Sequence, residues 1–300
     1  MPDAHNHKPG KNIKTAFFLN FSFTLIEFIG GLLTNSTAIL ADAVHDLGDT
    51  FALGQAWYFE NLTAKKGSLK YSYGYKRFSL LGALISTALL LTSSLFVLSE
   101  AIPRLMDPQH SNAQGMIFLA IVGVLVNGYA IFKLDRNNSH TSANVKVVAL
   151  HLLEDVLGWM AILVVAIILL FKDIHILDPI LAILITLYIL HGVQKNIKQI
   201  IPVFLQATPD SINIDSLKIE LVSINNVISS HHIHAWSLDG QHNVLTAHLI
   251  VNENLNKDQI LEVKEKARKA IEKFDFFHST LELEFPGEAD RMERNNDCYY

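Results

Sequence analysis

The amino-acid sequence predicts an all-α polytopic membrane region of six transmembrane helices followed by a small α+β domain. Half of the 300 residues are hydrophobic and only 18% are charged, and the mean hydropathy is positive, a balance typical of membrane proteins. About six segments of 18 or more residues, near 13–33, 37–60, 79–103, 114–134, 145–171 and 177–194, are each long enough to span roughly 30 Å of hydrocarbon. From about Ala207 onward, charges mix with short apolar runs, as in a soluble domain of roughly 90 residues. The expected organisation is an N-terminal arm at 1–11, a membrane region at 12–205, a soluble domain at 206–288 and a tail at 289–300. The formal charge of −5 says little in such a chain, and no nucleic-acid partner is expected.

The first span carries Asn20 and Glu27 and lacks a small-residue cleavage site, so it reads as a retained helix and not a signal peptide. The second begins at the Asn35-Ser36 turn. Basic residues set the orientation, because they resist translocation. Lys8, Lys11 and Lys14 precede the first span, and Lys65, Lys66, Lys70, Lys76 and Arg77 follow the second. Lys133, Arg136 and Lys146 lie between the fourth and fifth, and Lys195 and Lys198 follow the sixth. The opposite loops hold only Arg104 and Lys172. Both termini are therefore expected in the cytoplasm. Cys298 is the sole cysteine, which rules out a disulfide within one chain and leaves histidines and carboxylates as metal ligands.

The pattern His-x-x-x-Asp occurs twice inside these apolar stretches, as His45 with Asp49 and as His151 with Asp155. A spacing of four on a helix puts both side chains on one face. Two such helices side by side form a four-ligand cage of the kind that holds Zn²⁺ and related borderline metals. His45 stands about nine residues from the outer end of its span and His151 about seven from the inner end of its own, so at about 1.5 Å per residue both pairs lie near mid-membrane. Alternating-access transporters keep their sites at that depth. Asp42 shares the face of His45 and Asp49, whereas Asp46 lies about 100° around and is the weaker candidate. Glu27, Asn20, Asn127 and Glu100 are read as packing or cavity-lining groups.

Charged residues in hydrocarbon cost about 2.5–3.5 kcal/mol each at a helix centre, so the cluster points to an ion being moved. Metal ligation needs neutral His and ionised Asp, and protons compete for the same groups, which predicts exchange of H⁺ for metal. The rival readings are a membrane-embedded metal-dependent hydrolase, which would need a base beside an open coordination position, and a metal sensor acting through the tail. Ligand type does not rank Zn²⁺, Cd²⁺, Co²⁺ and Ni²⁺. No prosthetic group is expected.

The tail reads as a helix at 212–223, a strand at 227–237, an Asp239-Gly240 hairpin turn, a strand at 243–251, a helix at 257–274 and a strand at 280–285. Helices on one face of a three-stranded sheet make an α+β unit. Six histidines, His231, His232, His234, His242, His248 and His278, fall within fewer than 50 residues, more than packing requires.

At Gly30-Gly31, Asn35-Ser36, Asp42, His45 and Asp49, at Tyr73-Gly74-Tyr75-Lys76-Arg77-Phe78, at His151, Asp155 and Gly158, and at Asp178-Pro179, the chain resembles the cation diffusion facilitator family. The resemblance implies six transmembrane helices, a ferredoxin-like cytoplasmic domain that forms a homodimer, and proton-coupled export of divalent metal. His-x-x-x-Asp in both helices goes with the zinc-type members. The 65–75 loop has no His or Asp, so the further site that some members carry there is not expected. The short 136–143 connection with His140 favours a bacterial plasma membrane over a eukaryotic organelle. By the same resemblance, His231, His234, His248 and Glu284 correspond to a regulatory metal site, while Leu261 stands where some members place a bridging His. Strand alternation predicts that His231 and His234 point to opposite faces.

Overall fold

Nine α-helices and three β-strands make up residues 9–63, 67–137 and 143–288, which a computed structural model describes. His5, His7, His140 and Cys298 lie outside the described residues. The chain folds as two compact units, the first formed by Met1–Lys65 with Leu81–Ile197 and the second by Lys66–Leu80 with Lys198–Tyr300.

The first unit is built from α1 (Pro9–Thr34), α2 (Thr37–Thr63), α3 (Phe78–Ala101), the single turn α4 (Pro103–Met106), α5 (Ala113–Asn137), α6 (Ala143–Phe171) and α7 (Leu177–Phe204). By length and composition, α1, α3 with α4, α5, α6 and α7 can cross a membrane. Helix α2, at 27 residues, is equally long but carries Asp42, Asp46 and Asp49. It is the sixth expected span, with its acids turned inward: Asp42 and Asp46 are buried. Helix α7 runs on to Phe204, beyond the 194 expected, because Lys195 and Lys198 end the apolar run without interrupting the backbone ladder. Leu33, Phe96, Phe118 and Phe171 are exposed along these helices, the outward apolar surface that lipid requires.

Helix α1 packs on α2 and α5 on α6, and the two pairs are joined where α1 meets α5 and α2 meets α6. The core draws on Ile39, Ala41, Val97, Met116, Ala120, Trp159, Ile162 and Ala166. Glycine permits the α5–α6 approach: a Cβ at Gly123 would stand 2.3 Å from the ring of Trp159, which is itself buried. At the α1–α2 turn Asn35 adopts φ 54°, a left-handed conformation that Asn tolerates. The Ser36 amide then donates to Gly31 O at 3.0 Å.

The second unit carries α8 (Ile214–Val222), β1 (Val227–Ser237), β2 (Asn243–Val251), α9 (Lys257–Glu272) and β3 (Phe276–Glu284). The sheet order is β1-β2-β3. The β1–β2 pair is antiparallel and the β2–β3 pair parallel, with α9 as the crossover. Asn213 caps α8, and Asn256 with Gln259 forms a capping box on α9. Leu245, Ala247, Leu249 and Val251 of β2 meet Leu217, Leu221, Val263, Ala267 and Ile271 of the helices. The even-numbered β2 residues therefore line the other face. Strand β3 begins four residues before the expected 280, since parallel pairing starts at Asn243–Phe276.

The Lys66–Leu80 segment groups with this domain, which the expected boundary at 206 did not include. Tyr73 meets the His278 ring edge-on at 5.5 Å, and Lys76 Nζ sits 4.7 Å from the Phe277 ring centre. Lys76 Nζ also lies 2.8 Å from His242 Nε2. On the other side of that ring, Nδ1 meets Asp239 Oδ2 at 2.8 Å. An ammonium only donates, so Nε2 accepts and Nδ1 carries the hydrogen. The Asp239 carboxyl titrates below its ordinary value: burial opposes this, but the amides of Gln241 and His242 and the His242 ring outweigh it.

Candidate metal centre

The helical repeat of α2 sets His45 and Asp49 side by side, with His45 Nε2 3.8 Å from Asp49 Oδ2. Their side chains are 24% and 31% exposed, so both reach accessible space in the first unit. Asp42 turns toward α6, where a Cβ on Gly158 would stand 3.3 Å from Asp42 Oδ1. Asp155, one turn before Gly158, is close enough for its charge to act on Asp42 and Asp46. The two motif helices thus bring carboxylates toward one another. His151 lies on α6 four residues before Asp155, and its side chain falls outside the described residues.

Asp46 stands within reach of α1 as well. It lies against Glu27 of α1, which is only 1% exposed. Asn20 Nδ2 donates to Asp46 O at 3.3 Å and to Thr50 Oγ1 at 2.9 Å, and the Thr24 and Thr50 hydroxyls meet at 3.1 Å. Asp46 and Asn20 therefore belong to a polar α1–α2 seam beside the half-buried His45–Asp49 pair, whose charges still reach Asp46.

In the second unit, His231 Nε2 lies 2.7 Å from Glu284 Oε2 and His248 Nδ1 lies 2.6 Å from Glu284 Oε1. One ligating atom from each residue falls within 4.8 Å of the others. The donor set, two imidazoles and a carboxylate, suits Zn²⁺. Glu284 titrates below its ordinary value: burial pushes it up, and the hydrogen bonds and charges of His248 and His231 more than reverse that. Burial and the neighbouring His231, His248 and His234 push His232 down.

The alternation argument for His231 and His234 is corrected by a bulge. His231 pairs with His248 and His234 with Thr246, with the register shift between them. His232 adopts φ 47° in the bulge. Two residues of β1 then oppose one of β2, so His231 and His234 share the open face in spite of their odd spacing. His234 is nonetheless exposed and stands outside the three-residue convergence.

Residues 13–205 match the family model described as the cation efflux transmembrane domain, and residues 209–285 match that of the cation efflux protein cytoplasmic domain. The chain belongs to the cation efflux family, the cation diffusion facilitators. It is a multi-pass membrane protein of that family. It is 30% identical over 284 residues, 93% of this chain and 91% of the relative, to a cadmium, cobalt and zinc/H(+)-K(+) antiporter of Bacillus subtilis. Zinc transporter ZitB of Pectobacterium atrosepticum is 31% identical over 94% of this chain and 89% of its own length. Metal cation efflux system protein CzcD of Cupriavidus metallidurans is 30% identical over 94% and 89%.

In this cation efflux protein, one functional contact escapes sequence reasoning about the two motifs. Asp178, at the start of α7, is buried and caps the N-terminus of α2. It accepts from Ser36 Oγ at 2.5 Å, from the Thr37 amide at 2.7 Å, from Thr37 Oγ1 at 2.8 Å and from the Ala38 amide at 3.4 Å. An anion there meets the positive end of the α2 dipole. The Asp178-Pro179 pair is visible as a motif, yet its partner, some 140 residues away, is not.

Proposed function

We propose that this chain exports divalent metal, Zn²⁺ foremost, from the cytoplasm in exchange for protons, by alternating access around His45, Asp49, His151 and Asp155. The observation that carries the reading is the approach of Asp155 on α6 to the acidic side of α2 that bears the His45–Asp49 pair. Two carboxylates neutralise a dication, and two neutral imidazoles complete a tetrahedral shell. A proton arriving from the far side competes for the same lone pairs. Metal entry and proton entry therefore exclude one another, which couples their flows. The three relatives are an antiporter, a zinc transporter and an efflux protein by name, which supports transport over hydrolysis. The basic loops support cytoplasmic termini in a bacterial inner membrane, and the match to the cytoplasmic-domain family supports a homodimer.

In everted vesicles holding the protein, Zn²⁺ uptake is expected to collapse when the pH gradient is dissipated. Unchanged flux would remove proton coupling.

We infer further that His231, His248 and Glu284 bind a regulatory metal, with His234 as a neighbour on the same face. Metal there adjusts transport if it binds two arrangements of the dimer unequally. His248→Ala in the full-length protein is expected to weaken one Zn²⁺ equivalent per chain by at least tenfold in a calorimetric titration. An unaltered isotherm would leave the domain a purely structural role.

A further inference from the structure

A third cluster lies at the end of the first unit where α2, α5 and α7 begin, in two loops that neither motif includes. His110, in the loop before α5, and Asp173 and His175, in the α6–α7 connection, each offer one ligating atom, and these atoms all lie within 4.8 Å of one another. His110 Nδ1 lies 2.7 Å from His175 Nε2, and Asp173 Oδ1 lies 2.5 Å from the same Nε2. The two rings meet edge-to-face with centres 4.3 Å apart.

A neutral imidazole has one N–H, so His175 Nε2 can satisfy only one of the two atoms that crowd it. A cation satisfies all three. Tetrahedral Zn²⁺ with ligands at about 2.0–2.1 Å needs donor atoms about 3.3 Å apart, so side-chain rotation has to open the 2.7 and 2.5 Å contacts by about 0.6 and 0.8 Å. His175 Nδ1 receives only the Ser111 amide, at 3.4 Å, a long contact that gives way when the ring hydrogen moves to Nδ1.

The loops are held in place independently of any ion. Asn35 Nδ2 donates to His110 O at 3.0 Å, the Asn112 amide to Thr34 O at 2.8 Å and Ser111 Oγ to Asn35 O at 3.3 Å. His175 stands three residues before Asp178, the cap of α2. The His175 side chain is 12% exposed and that of Asp173 is 87% exposed, and His110 is exposed as well, so the site is open to solvent.

We propose that His110, Asp173 and His175 form a separate site for a borderline divalent cation such as Zn²⁺, with an open position for water. The inference that it serves as a station for metal leaving the protein rests on the transport reading and its orientation. Binding itself does not.

The test is calorimetric titration of Zn²⁺ into the full-length protein in detergent. The double variant His110→Ala with His175→Ala is expected to bind one equivalent fewer per chain, while Asp49→Ala keeps that equivalent and loses a different one. Asp173→Asn, at an exposed position that leaves the loop backbone intact, is expected to weaken the same equivalent at least tenfold. Unchanged stoichiometry in the double variant together with unchanged affinity in Asp173→Asn overturns the site. If Asp49→Ala loses nothing while the loop variants do, the mid-membrane reading fails and this one stands.

Discussion

Asp49→Ala and Asp155→Ala are each expected to abolish metal transport, by more than a hundredfold, in proteoliposomes that measure Zn²⁺ uptake. The expectation follows from charge. At an effective dielectric of about 20, two unit charges 4 Å apart interact by about 4 kcal/mol, and a directly ligated dication gains more from each carboxylate. Losing even about 3 kcal/mol of that attraction weakens binding more than a hundredfold. Asp49→Asn keeps the shape and removes the charge, so it is expected to be silent too. The fold should survive, because the Asp49 side chain is 31% exposed and packs no core. Size-exclusion chromatography checks that the variant keeps the parent's oligomeric state. Transport within tenfold of the parent in either alanine variant would dismiss the four-ligand cage.

Asp178→Ala is expected to have the largest effect on stability. Four donors converge on this buried carboxylate, two of them backbone amides in the first turn of α2. The hydroxyls of Ser36 and Thr37 can rotate to other acceptors. The amides of Thr37 and Ala38 cannot, and a buried donor left without a partner costs about 1–3 kcal/mol. The sum is roughly 2–6 kcal/mol, before the favourable interaction with the helix dipole is counted. A lowering of Tm by about 5–20 °C follows in a chain of this size, read by thermal unfolding in detergent. Asp178→Asn retains one carbonyl acceptor and should lose about half as much. A Tm within two or so degrees of the parent for Asp178→Ala would show that water or another group replaces the cap.

Local periodicity made the membrane helices and the His45–Asp49 pair legible. An apolar run of 18 or more residues has one stable fate in lipid, and a spacing of four on a helix has one geometric consequence. The order of elements in the C-terminal domain was equally readable, because the Asp239-Gly240 turn marks a hairpin between two short apolar runs. The outcome for His231 and His234 was not. Period-two alternation assigns them to opposite faces, and a single inserted residue, His232 at φ 47°, reverses the assignment.

The chain's own residues determine that six long helices form, that α2 and α6 each carry a His-x-x-x-Asp pair, and that an α+β domain follows, because each of these depends on neighbours within a few positions. Only the tertiary structure decided that Asp46 turns to Glu27 while Asp42 turns to Gly158. The same holds for Asp178 reaching across to cap α2, for Lys76 sharing His242 with Asp239, and for His110, which meets His175 between two distant loops. Those contacts join residues tens to more than a hundred positions apart. Their formation depends on how helices and strands pack, and no repeat in the sequence encodes that.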